Sequence, residues 1–557
     1  MNKKMIKLLA AMMVGIMLLG ACGGGAAPAT PASQAPAAST APAASQAPAA
    51  PAAPAAEKVL TVGTPYTIDT FVPWMSTSDG DRYVFSNVFE TIVVNATPEI
   101  LPCLAESWEV DGLAYVFKIR NNAYWQTGNA LFGDEKVQLT AHDIKAVFDF
   151  VMDEANGSYH YADAVKYFDA VEATDDFTLR ITAKFPSALT LKEISDVPIF
   201  PLKAIEAGFD LGSFPVGSGP YKFVEYRTDD RAVLEKNPDY FVEPALDRVI
   251  FKIIPDKSVA AIALQNNEVD IVNQINNTDM EAVAAKDFLD LIPNDTGWYR
   301  YMGLNVSKDV FKDVKVREAI ALAVDWVAIT EAIFDNAFGA KLAVPSYGGA
   351  VPPEFEGSDL ATWESMYEYN PDKAAALLEE AGWAKGSDGI YEKGGVKLAF
   401  TIKTPTSDQN RMKFGDMAAT YLKSIGINAT PQPTEWATML DDIKNGDTEA
   451  FCMGGGSTIG GMNMLFHSQL SSTGSHRTFL DDPELDAMLD EGYSTVDVEK
   501  RLEILRAAAV KAIEAKVHAG GYMEYVQIGM NKRVTDFSQK PSFWYGLTTP
   551  FRNVGVN

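Results

Sequence analysis

The sequence predicts a mixed α and β protein of two or three compact lobes, and three observations support that fold class. The chain has 557 residues, more than a single hydrophobic core usually accommodates. Its 47% hydrophobic and 22% charged residues are typical of a globular protein. From Leu60 onward, segments with the two-residue period of strands alternate with segments that have the period of amphipathic helices. No apolar run is long enough to cross a bilayer, so we expect no membrane span.

Two helices are delimited by their end residues. Thr140 and Asp143 form a capping box ahead of an apolar stripe, which predicts the start of a helix. Asn370 is predicted to cap a second helix, with Pro371 at its first position and Gly382 at its end.

The charge balance narrows the classes of partner. Lys and Arg total 47 against 74 Asp and Glu, a formal net charge of -27, which repels the phosphates of nucleic acids. We therefore expect no nucleic-acid partner. The three cysteines, Cys22, Cys103 and Cys452, are too few for a disulfide framework and have no CxxC spacing. Cys103 and Cys452 are expected to pack as small apolar residues.

The first residues predict export. Three lysines among the first seven residues precede a twelve-residue apolar run, Leu8 to Leu19, which is too short for a membrane helix. The run ends in Leu19-Gly20-Ala21-Cys22, which resembles a bacterial lipobox. Residues 1–21 are therefore predicted to be a lipoprotein signal peptide and Cys22 to carry the lipid. The alternative is an ordinary signal peptide that happens to contain a cysteine.

A tether follows the predicted lipid site. Ala26–Ala56 contains 17 Ala and 7 Pro in 31 residues, and the remainder is only Ser, Thr and Gln. Because no large apolar side chain is present, this segment cannot build a core. We predict that residues 22–57 are a lipidated cysteine and a disordered linker, which hold the folded part at the outer face of the cytoplasmic membrane.

A series of motifs then follows along the chain. They are Pro102-Cys103-Leu104-Ala105-Glu106-Ser107-Trp108, Val216-Gly217-Ser218-Gly219-Pro220-Tyr221, Glu235-Lys236-Asn237-Pro238-Asp239-Tyr240, Ile254-Pro255-Asp256 and Phe311-Lys312-Asp313-Val314-Lys315-Val316-Arg317. In order and spacing they resemble the dipeptide, oligopeptide and nickel class of ABC-transporter solute-binding proteins, and the resemblance extends from about Leu60 to Phe551. It implies an α/β, two-lobed periplasmic-binding-protein (Venus-flytrap) fold with an extra domain inserted in the N-terminal half.

The resemblance also implies domain bounds. We expect an N-terminal lobe made of residues 58–89, 208–275 and 520–557, an inserted extra domain at 90–207, and a C-terminal lobe at 276–519. Gly217 and Gly219, beside Pro220, are expected to form a sharp turn where the chain passes between domains.

Motifs for catalysis are missing from the sequence. HExxH, GxSxG and GxxxxGK[ST] do not occur, and the five histidines are scattered. We therefore expect no enzyme and no cofactor. His467 and His476 could ligate a metal chelate, as in nickel-binding relatives, but they lack a clustered third ligand, so no metal site is predicted.

The glycine-rich segment Met453–Gly461 is a candidate for ligand binding. It follows a predicted strand that ends near Cys452, and Gly455, Ser457 and Thr458 could bind ligand oxygens; a flexible loop is the open alternative. Peptide-binding relatives usually carry here an aspartate for the peptide ammonium and a tryptophan just before it, and the resemblance places these near Thr458 and Gly455. Because Cys452–Phe466 contains no Asp or Glu, ordinary peptides are less expected than N-blocked peptides, oligosaccharides or other polar solutes.

Aromatic residues supply further candidates, each of which either lines a ligand cleft or packs in a core. They are Tyr66, Trp74, Tyr83, Trp298, Trp436, Trp544 and Tyr545. Arg300 could bind a carboxylate or phosphate in a bidentate manner, or form a surface ion pair.

Together these observations predict a lipid-anchored solute-binding component of an ABC importer. A monomer is expected to capture a peptide-like or other small polar organic solute between its lobes and deliver it to a permease, with ATPase subunits as further partners. Contact with the membrane is expected through the lipid anchor only. The alternative is a tethered extracellular receptor for a signalling peptide or small molecule that is not coupled to import.

Overall fold

The computed structural model describes residues 57–75, 78–96, 99–336, 339–346, 365–456, 459–469, 477–537 and 551–557. The predicted signal peptide, the lipid site Cys22 and the linker before Glu57 lie outside the described residues. Ala56–Asn557 cluster into one unit. Within the part of the chain that is described, no helix combines the length and the apolar character needed to cross a membrane.

Strands and helices alternate along the described chain, as the sequence predicts. Up to residue 275 they are β1 (Val59–Thr64), α1 (Asp79–Val88), β2 (Val93–Ala96), β3 (Glu99–Pro102), β4 (Ala105–Asp111), β5 (Ala114–Ile119), α2 (Ala141–Val151), α3 (Tyr161–Tyr167), β6 (Phe168–Asp175), β7 (Thr178–Ala183), α4 (Thr190–Ser195), α5 (Leu202–Glu206), β8 (Tyr221–Arg227), β9 (Arg231–Lys236), β10 (Arg248–Ile253), α6 (Lys257–Gln265) and β11 (Ile271–Val272). From residue 276 they are α7 (Met280–Ala284), β12 (Leu289–Leu304), α8 (Val314–Leu322), α9 (Trp326–Phe334), β13 (Ala343–Ser346), α10 (Pro371–Glu380), β14 (Ala384–Lys385), β15 (Tyr391–Lys393), β16 (Val396–Lys397), β17 (Ala399–Pro405), α11 (Gln409–Ile425), β18 (Asn428–Thr434), α12 (Trp436–Lys444), β19 (Ala450–Gly456), α13 (Ile459–Phe466), α14 (Pro483–Ser494), α15 (Val498–Glu514), β20 (His518–Asn531), β21 (Val534–Thr535) and β22 (Gly555–Val556).

One sheet of eleven strands runs through this unit. Its order is β18-β17-β19-β12-β20-β11-β1-β10-β9-β8, and β13 also pairs with β20. In the first parallel group, β1 is parallel to β10 and β11; in the second parallel group, β17 is parallel to β18 and β19. Between the groups lie β12 and β20, which pair with each other in the antiparallel direction and are called the central ribbon below.

The central ribbon takes part in more than one hydrophobic core. Ile528 and Met530 of β20 belong to the core that contains side chains of β1 and β10. Met302 and Leu304 of β12, with Tyr522 of β20, belong to a different core that contains side chains of α11. Each strand of the ribbon therefore leaves one core and enters another along its length.

A separate four-stranded antiparallel sheet lies within residues 105–183, in the order β4-β5-β7-β6. Helix α2 packs on its last strand, β6. The buried side chains of α2 are Ala141, Ile144, Val147, Phe148 and Val151. They recur at helical spacing, so the apolar stripe faces this sheet.

Both helices whose ends the sequence delimits are confirmed. At the start of α2, the Asp143 carboxylate accepts a hydrogen bond from the backbone N–H of Thr140 at 2.8 Å. At the start of α10, the Asn370 side chain accepts from the backbone N–H of Lys373 at 2.9 Å. Gly382 follows α10 with a φ of +84°, the left-handed conformation that commonly ends a helix.

Gly217 and Gly219 are required by close packing. The segment bends here, as expected, but neither residue is among the glycines with a positive φ. A Cβ atom on Gly217 would overlap the carbonyl oxygen of Val88, and one on Gly219 would lie 2.5 Å from that of Asn87. The backbone that follows the four-stranded sheet therefore lies directly against the end of α1, which leaves no room for a side chain.

A buried polar cluster ties the last residues of the chain to the segment that follows α1. Glu90 is 2% exposed and accepts hydrogen bonds from the Tyr240 hydroxyl, the Cys103 thiol and, at 3.1 Å, from Arg552. Burial raises the pKa of the Cys103 thiol to about 12, and the charge of Glu90 acts in the same direction. Cys103 is thus a buried hydrogen-bond donor as well as a small core residue, while Cys452 packs fully buried in a core.

The variant Gly217→Ala is expected to lower the free energy of unfolding by about 1–3 kcal/mol, because the added methyl group forces the backbone away from α1. Chemical denaturation followed by circular dichroism measures the change. Gly208→Asn is the control: Gly208 has a φ of +63° with no atom within 4 Å of its Cβ position, and Asn tolerates that backbone. Equal losses in both variants would contradict the close-packing role of Gly217.

Candidate functional site

The two parallel groups direct the carboxyl ends of their strands toward the same stretch of the central ribbon. β11 ends opposite Gly529 of β20, and β19 ends, at Gly456, opposite Trp298 of β12. The ribbon residues between these points are 292–297 and 524–528. Ligands of open α/β sheets bind beyond the carboxyl ends of the strands. We therefore take this stretch as the candidate site. Its first edge is formed by the carboxyl ends of β1, β10 and β11, and its second edge by those of β17, β18 and β19.

An open cavity of about 560 Å³ lies at the first edge. It is lined by Tyr66, Lys257, Gln274, Ile275, Asn276, Asn277 and Val526. The Gln274 side-chain amide donates a hydrogen bond to the Tyr66 hydroxyl at 2.8 Å, which fixes both groups. Tyr66 follows β1, Lys257 begins the helix after β10, and Gln274 follows β11, so the lining comes from the ends of parallel strands. Hydroxyl, amide and ammonium groups of this kind suit a polar solute.

An ion pair lies at the second edge, on the ribbon itself. Arg300 of β12 and Glu524 of β20 are 3.2 Å apart, and 14% and 26% of their side chains are exposed. The guanidinium group lies against Gly454 of β19, where a Cβ atom would overlap it. Its carbon is also 5.6 Å from the ring centre of Trp298, a cation–π contact. Gly454 thus provides the room that the arginine occupies.

The glycine-rich segment begins inside a strand. The predicted strand end near Cys452 is wrong, because β19 continues to Gly456 and pairs with β12 over its whole length. Side chains from neighbouring elements fill the space that the glycines leave: Arg300 covers Gly454, and a Cβ atom on Gly455 would lie 2.9 Å from Leu465. The backbone therefore keeps its ladder of hydrogen bonds although the strand carries no side chains here.

A second arginine and carboxylate lie where β17 and β18 end. The Nε atom of Arg411 is 2.7 Å from Asp408, which also accepts a hydrogen bond from the Arg411 backbone N–H at 3.0 Å. Burial acts to raise the pKa of Asp408, but the hydrogen bond and charge of Arg411, with the charge of Arg300, bring it below its usual value. The Arg411 guanidinium carbon lies 5.2 Å from the ring centre of Trp436, which it holds at the second edge.

The ribbon carries a further carboxylate between the two edges. Asp295 accepts a hydrogen bond from the Gly297 backbone N–H at 2.7 Å, where the register of β12 against β20 shifts. Burial raises the pKa of Asp295, and the hydrogen bond and the charge of Lys341 offset this only in part. The negative charge of Asp295 is therefore incompletely compensated.

Four of the predicted site residues lie at the two edges. Tyr66 lines the cavity at the first edge. Trp298, Arg300 and Trp436 lie at the second edge, where each aromatic ring contacts an arginine. Trp298 and Arg300 are neighbours on β12, whereas Tyr66 and Trp436 come from the ends of the distant strands β1 and β18.

The other described candidates, Tyr83, Trp74 and Gly455, are packed against neighbouring side chains. Tyr83 is 1% exposed and packs in the core, with its ring centre 5.6 Å from that of Phe251. Trp74 packs against Phe150 and Phe200 at ring separations of 5.1 and 4.9 Å. Gly455 is buried in β19. Ser457, Thr458, Trp544 and Tyr545 lie outside the described residues.

Sequence reasoning missed several residues of the two edges, namely Lys257, Gln274, Asn276, Asp408, Arg411, Glu524 and Val526. For the first three a positional signal existed at the ends of parallel strands. Lys257 follows the Ile254-Pro255-Asp256 motif, and Gln274 and Asn276 follow β11. Glu524 gives no local signal, since its relation to Arg300 depends on strand pairing between distant segments.

The ring of His467 lies near two carboxylates. Its ring nitrogens lie 3.2 Å from Asp490 and 3.7 Å from Asp486. In the described part of the chain, no group of three His, Cys, Asp or Glu side chains could hold a metal ion. His476 lies outside the described residues.

Comparison with known proteins gives a consistent result. A family model described as bacterial extracellular solute-binding proteins, family 5 Middle, matches residues 99–477. The oligopeptide-binding protein AppA of Bacillus subtilis is 30% identical over 412 residues, which cover 71% of this chain and 73% of that protein. Heme-binding protein A of Haemophilus influenzae is 28% identical over 437 residues, which cover 74% and 77% of the two chains. The solved structure of HbpA2 from Haemophilus parasuis matches with a TM-score of 0.77 at 23% identity, over 90% of this chain and 100% of that one, and the predicted two-lobed α/β fold is confirmed.

The variant Asp295→Asn is expected to raise the thermal midpoint at pH 7. A raised pKa means that the folded state binds the proton more tightly, so ionised Asp295 lowers stability once the pH exceeds the unfolded pKa of about 3.9. The gain should therefore shrink as the pH falls toward 4, and calorimetry across this range measures it. Asp309→Asn is the control, because Asp309 has a lowered pKa from its hydrogen bond to Lys312 and should not be stabilised by the change. No gain for Asp295→Asn at pH 7 would show that its charge is compensated.

Proposed function

The chain belongs to the bacterial extracellular solute-binding proteins of family 5, and we propose that it captures a peptide-like or other small polar organic solute between its lobes. Proteins of this family bind peptides or similar solutes for ABC importers. We propose that the captured solute is passed to the permease of such an importer.

One observation supports capture between lobes, namely the approach of two carboxyl edges to the same stretch of the central ribbon. A solute that touches both edges gains contacts when they come closer together. The solute shifts an open and closed equilibrium only by its differential affinity for the closed form. A permease that recognises the closed form then distinguishes the loaded protein from the empty one.

The chemistry of the edges supports a polar solute. Tyr66, Gln274 and Asn276 offer hydroxyl and amide groups, while Trp298 and Trp436 offer aromatic faces. The two relatives above are named for different cargoes, oligopeptides and heme, so membership of the family leaves the cargo open. Because Cys452–Phe466 contains no acidic residue, we favour solutes without a free ammonium group at that position.

We also propose the domain bounds expected from the sequence, with residues 90–207 as the inserted extra domain. The four-stranded sheet of β4 to β7 falls within that range, which supports it. Residues 58–89, 208–275 and 520–557 would then form the N-terminal lobe and 276–519 the C-terminal lobe. The bound at 520 falls at the start of β20, and the bound at 276 precedes α7 and β12. The central ribbon contributes side chains to more than one core.

The chain from Glu57 onward, purified from cell extract without added ligand, is expected to retain a small molecule. Native mass spectrometry should show an added mass that disappears on denaturation, and fragmentation of the released compound identifies it. Returning that compound to stripped protein should raise the thermal midpoint, because binding to the folded state alone stabilises it. A protein that retains nothing and gains no stability from peptides, oligosaccharides or other polar solutes would contradict solute capture, and chemical conversion of the bound compound would indicate an enzyme.

We further propose that residues 1–21 are removed and that Cys22 carries the lipid anchor. Cys22→Ala is expected to move the protein from the membrane fraction to the soluble fraction and to remove the mass of the acyl chains. Cys103→Ser is the matched control, because it replaces a buried cysteine whose hydrogen bond to Glu90 a hydroxyl can keep. Membrane retention of Cys22→Ala would refute the anchor.

A further inference from the structure

The ion pair of Arg300 and Glu524 lies on the same face of the central ribbon as a residue that lines the cavity. Arg300 is directly opposite Tyr522, and Glu524 lies two residues further along β20, on the same face of the ribbon. Val526 comes next on that face and lines the cavity of about 560 Å³. On β20, the pair is therefore two residues away from the cavity lining.

Three guanidinium groups lie at the second edge. Arg300 pairs with Glu524, and Arg411 pairs with Asp408. Arg477 adds a third guanidinium group, which donates a hydrogen bond at 3.1 Å to the carbonyl oxygen of the glycine that Arg300 covers. These guanidinium groups cluster in a chain whose net charge is -27.

Hydrogen-bond donors are also in excess here. The Nε atoms of Arg300 and Arg477 are buried and have no hydrogen-bond acceptor among the residues that the structure describes. A buried N–H group without an acceptor costs free energy, and a carboxylate offers two acceptor oxygens in the geometry of a guanidinium group.

The two members of the pair differ in how firmly they are held. Arg300 is 14% exposed and lies against both Gly454 and the ring of Trp298. Glu524 is 26% exposed, nearly twice as much, and Arg300 is its described ion-pair partner. Glu524 is therefore the member that can turn away while the arginine keeps its position.

We propose that Arg300 binds a carboxylate group of the transported solute, and that Glu524 is an internal counter-ion which this carboxylate displaces. The inference rests on the proposed function, since it names the class of solute for the same site. Without solute, Glu524 neutralises Arg300 and orients it. A neutral solute cannot replace Glu524, because it would leave the guanidinium group buried without a counter-charge.

Three derivatives of one peptide test this charge preference. N-acetyl-trialanine carries only a carboxylate, its C-terminal amide carries no charge, and trialanine amide carries only an ammonium group. Isothermal titration calorimetry with the purified full chain is expected to show that the acid binds about tenfold or more tightly than the neutral amide, as a charge-assisted hydrogen bond implies.

Substitutions at the two residues are expected to change the affinity for the acid in opposite directions. Arg300→Gln is expected to remove the preference for the acid, and Arg300→Lys to retain part of it because it keeps the charge without the bidentate geometry. Glu524→Gln is expected to tighten binding of the acid by about three- to tenfold, because the internal competitor is gone. If Arg300→Gln does not fold, Arg300→Lys and Glu524→Gln carry the test.

The control variants are Arg227→Gln and Glu225→Gln, which remove an ion pair of the same type on β8 and should leave the dissociation constants unchanged. Weaker binding of trialanine amide in Glu524→Gln would overturn the proposal, because it would make Glu524 an ammonium site. Equal binding of acid and amide, or no binding of the acid by the unaltered protein, would also overturn it. A retained neutral solute whose affinity is unchanged in Arg300→Gln would leave solute capture standing and remove this inference alone.

Discussion

The backbone hydrogen bonds between β12 and β20 hold together two parallel groups that share no strand pair with each other in the described structure. The register of this ribbon decides which residues meet at the candidate site. It sets Arg300 opposite Tyr522 and brings Glu524 beside the arginine. A slip of one residue would turn the side chains of one strand to the other face and separate the ion pair. The irregularity between Asp295 and Tyr299 adds local twist at the point where the two edges face each other.

Glycines at the second edge serve the packing of other side chains. Gly454 leaves the space that Arg300 occupies, and Gly455 leaves the space that Leu465 occupies. The missing side chains are thus replaced by groups from β12 and α13. An alanine at Gly454 would move the guanidinium group, so a residue without chemistry of its own determines where the charge lies. This couples the glycine-rich sequence to the electrostatics of the site.

The sequence predicts the structure correctly where the signal lies within a few neighbouring residues. Thr140 and Asn370 begin helices because the side-chain caps act within three residues. The motif order also identified the family, since each motif is read without knowledge of its spatial neighbours. The end of β19 was misjudged because three glycines have low strand propensity, and only pairing with β12 makes them a strand. Glu524 was missed for the same reason, since its partner lies on a distant segment.

An internal counter-ion has a physical advantage for a binding protein of this charge. The net charge of -27 repels anions at a distance, but salt confines that repulsion to about 8 Å at physiological ionic strength. An unpaired guanidinium group in the cleft would therefore still attract small anions from solution. Because Glu524 is held beside Arg300 by the ribbon, a competing anion must displace a carboxylate that is already in place. A solute that also gains contacts at the first edge has the additional affinity needed to displace Glu524. Recognition of the solute's charge is therefore coupled to its contact with both lobes.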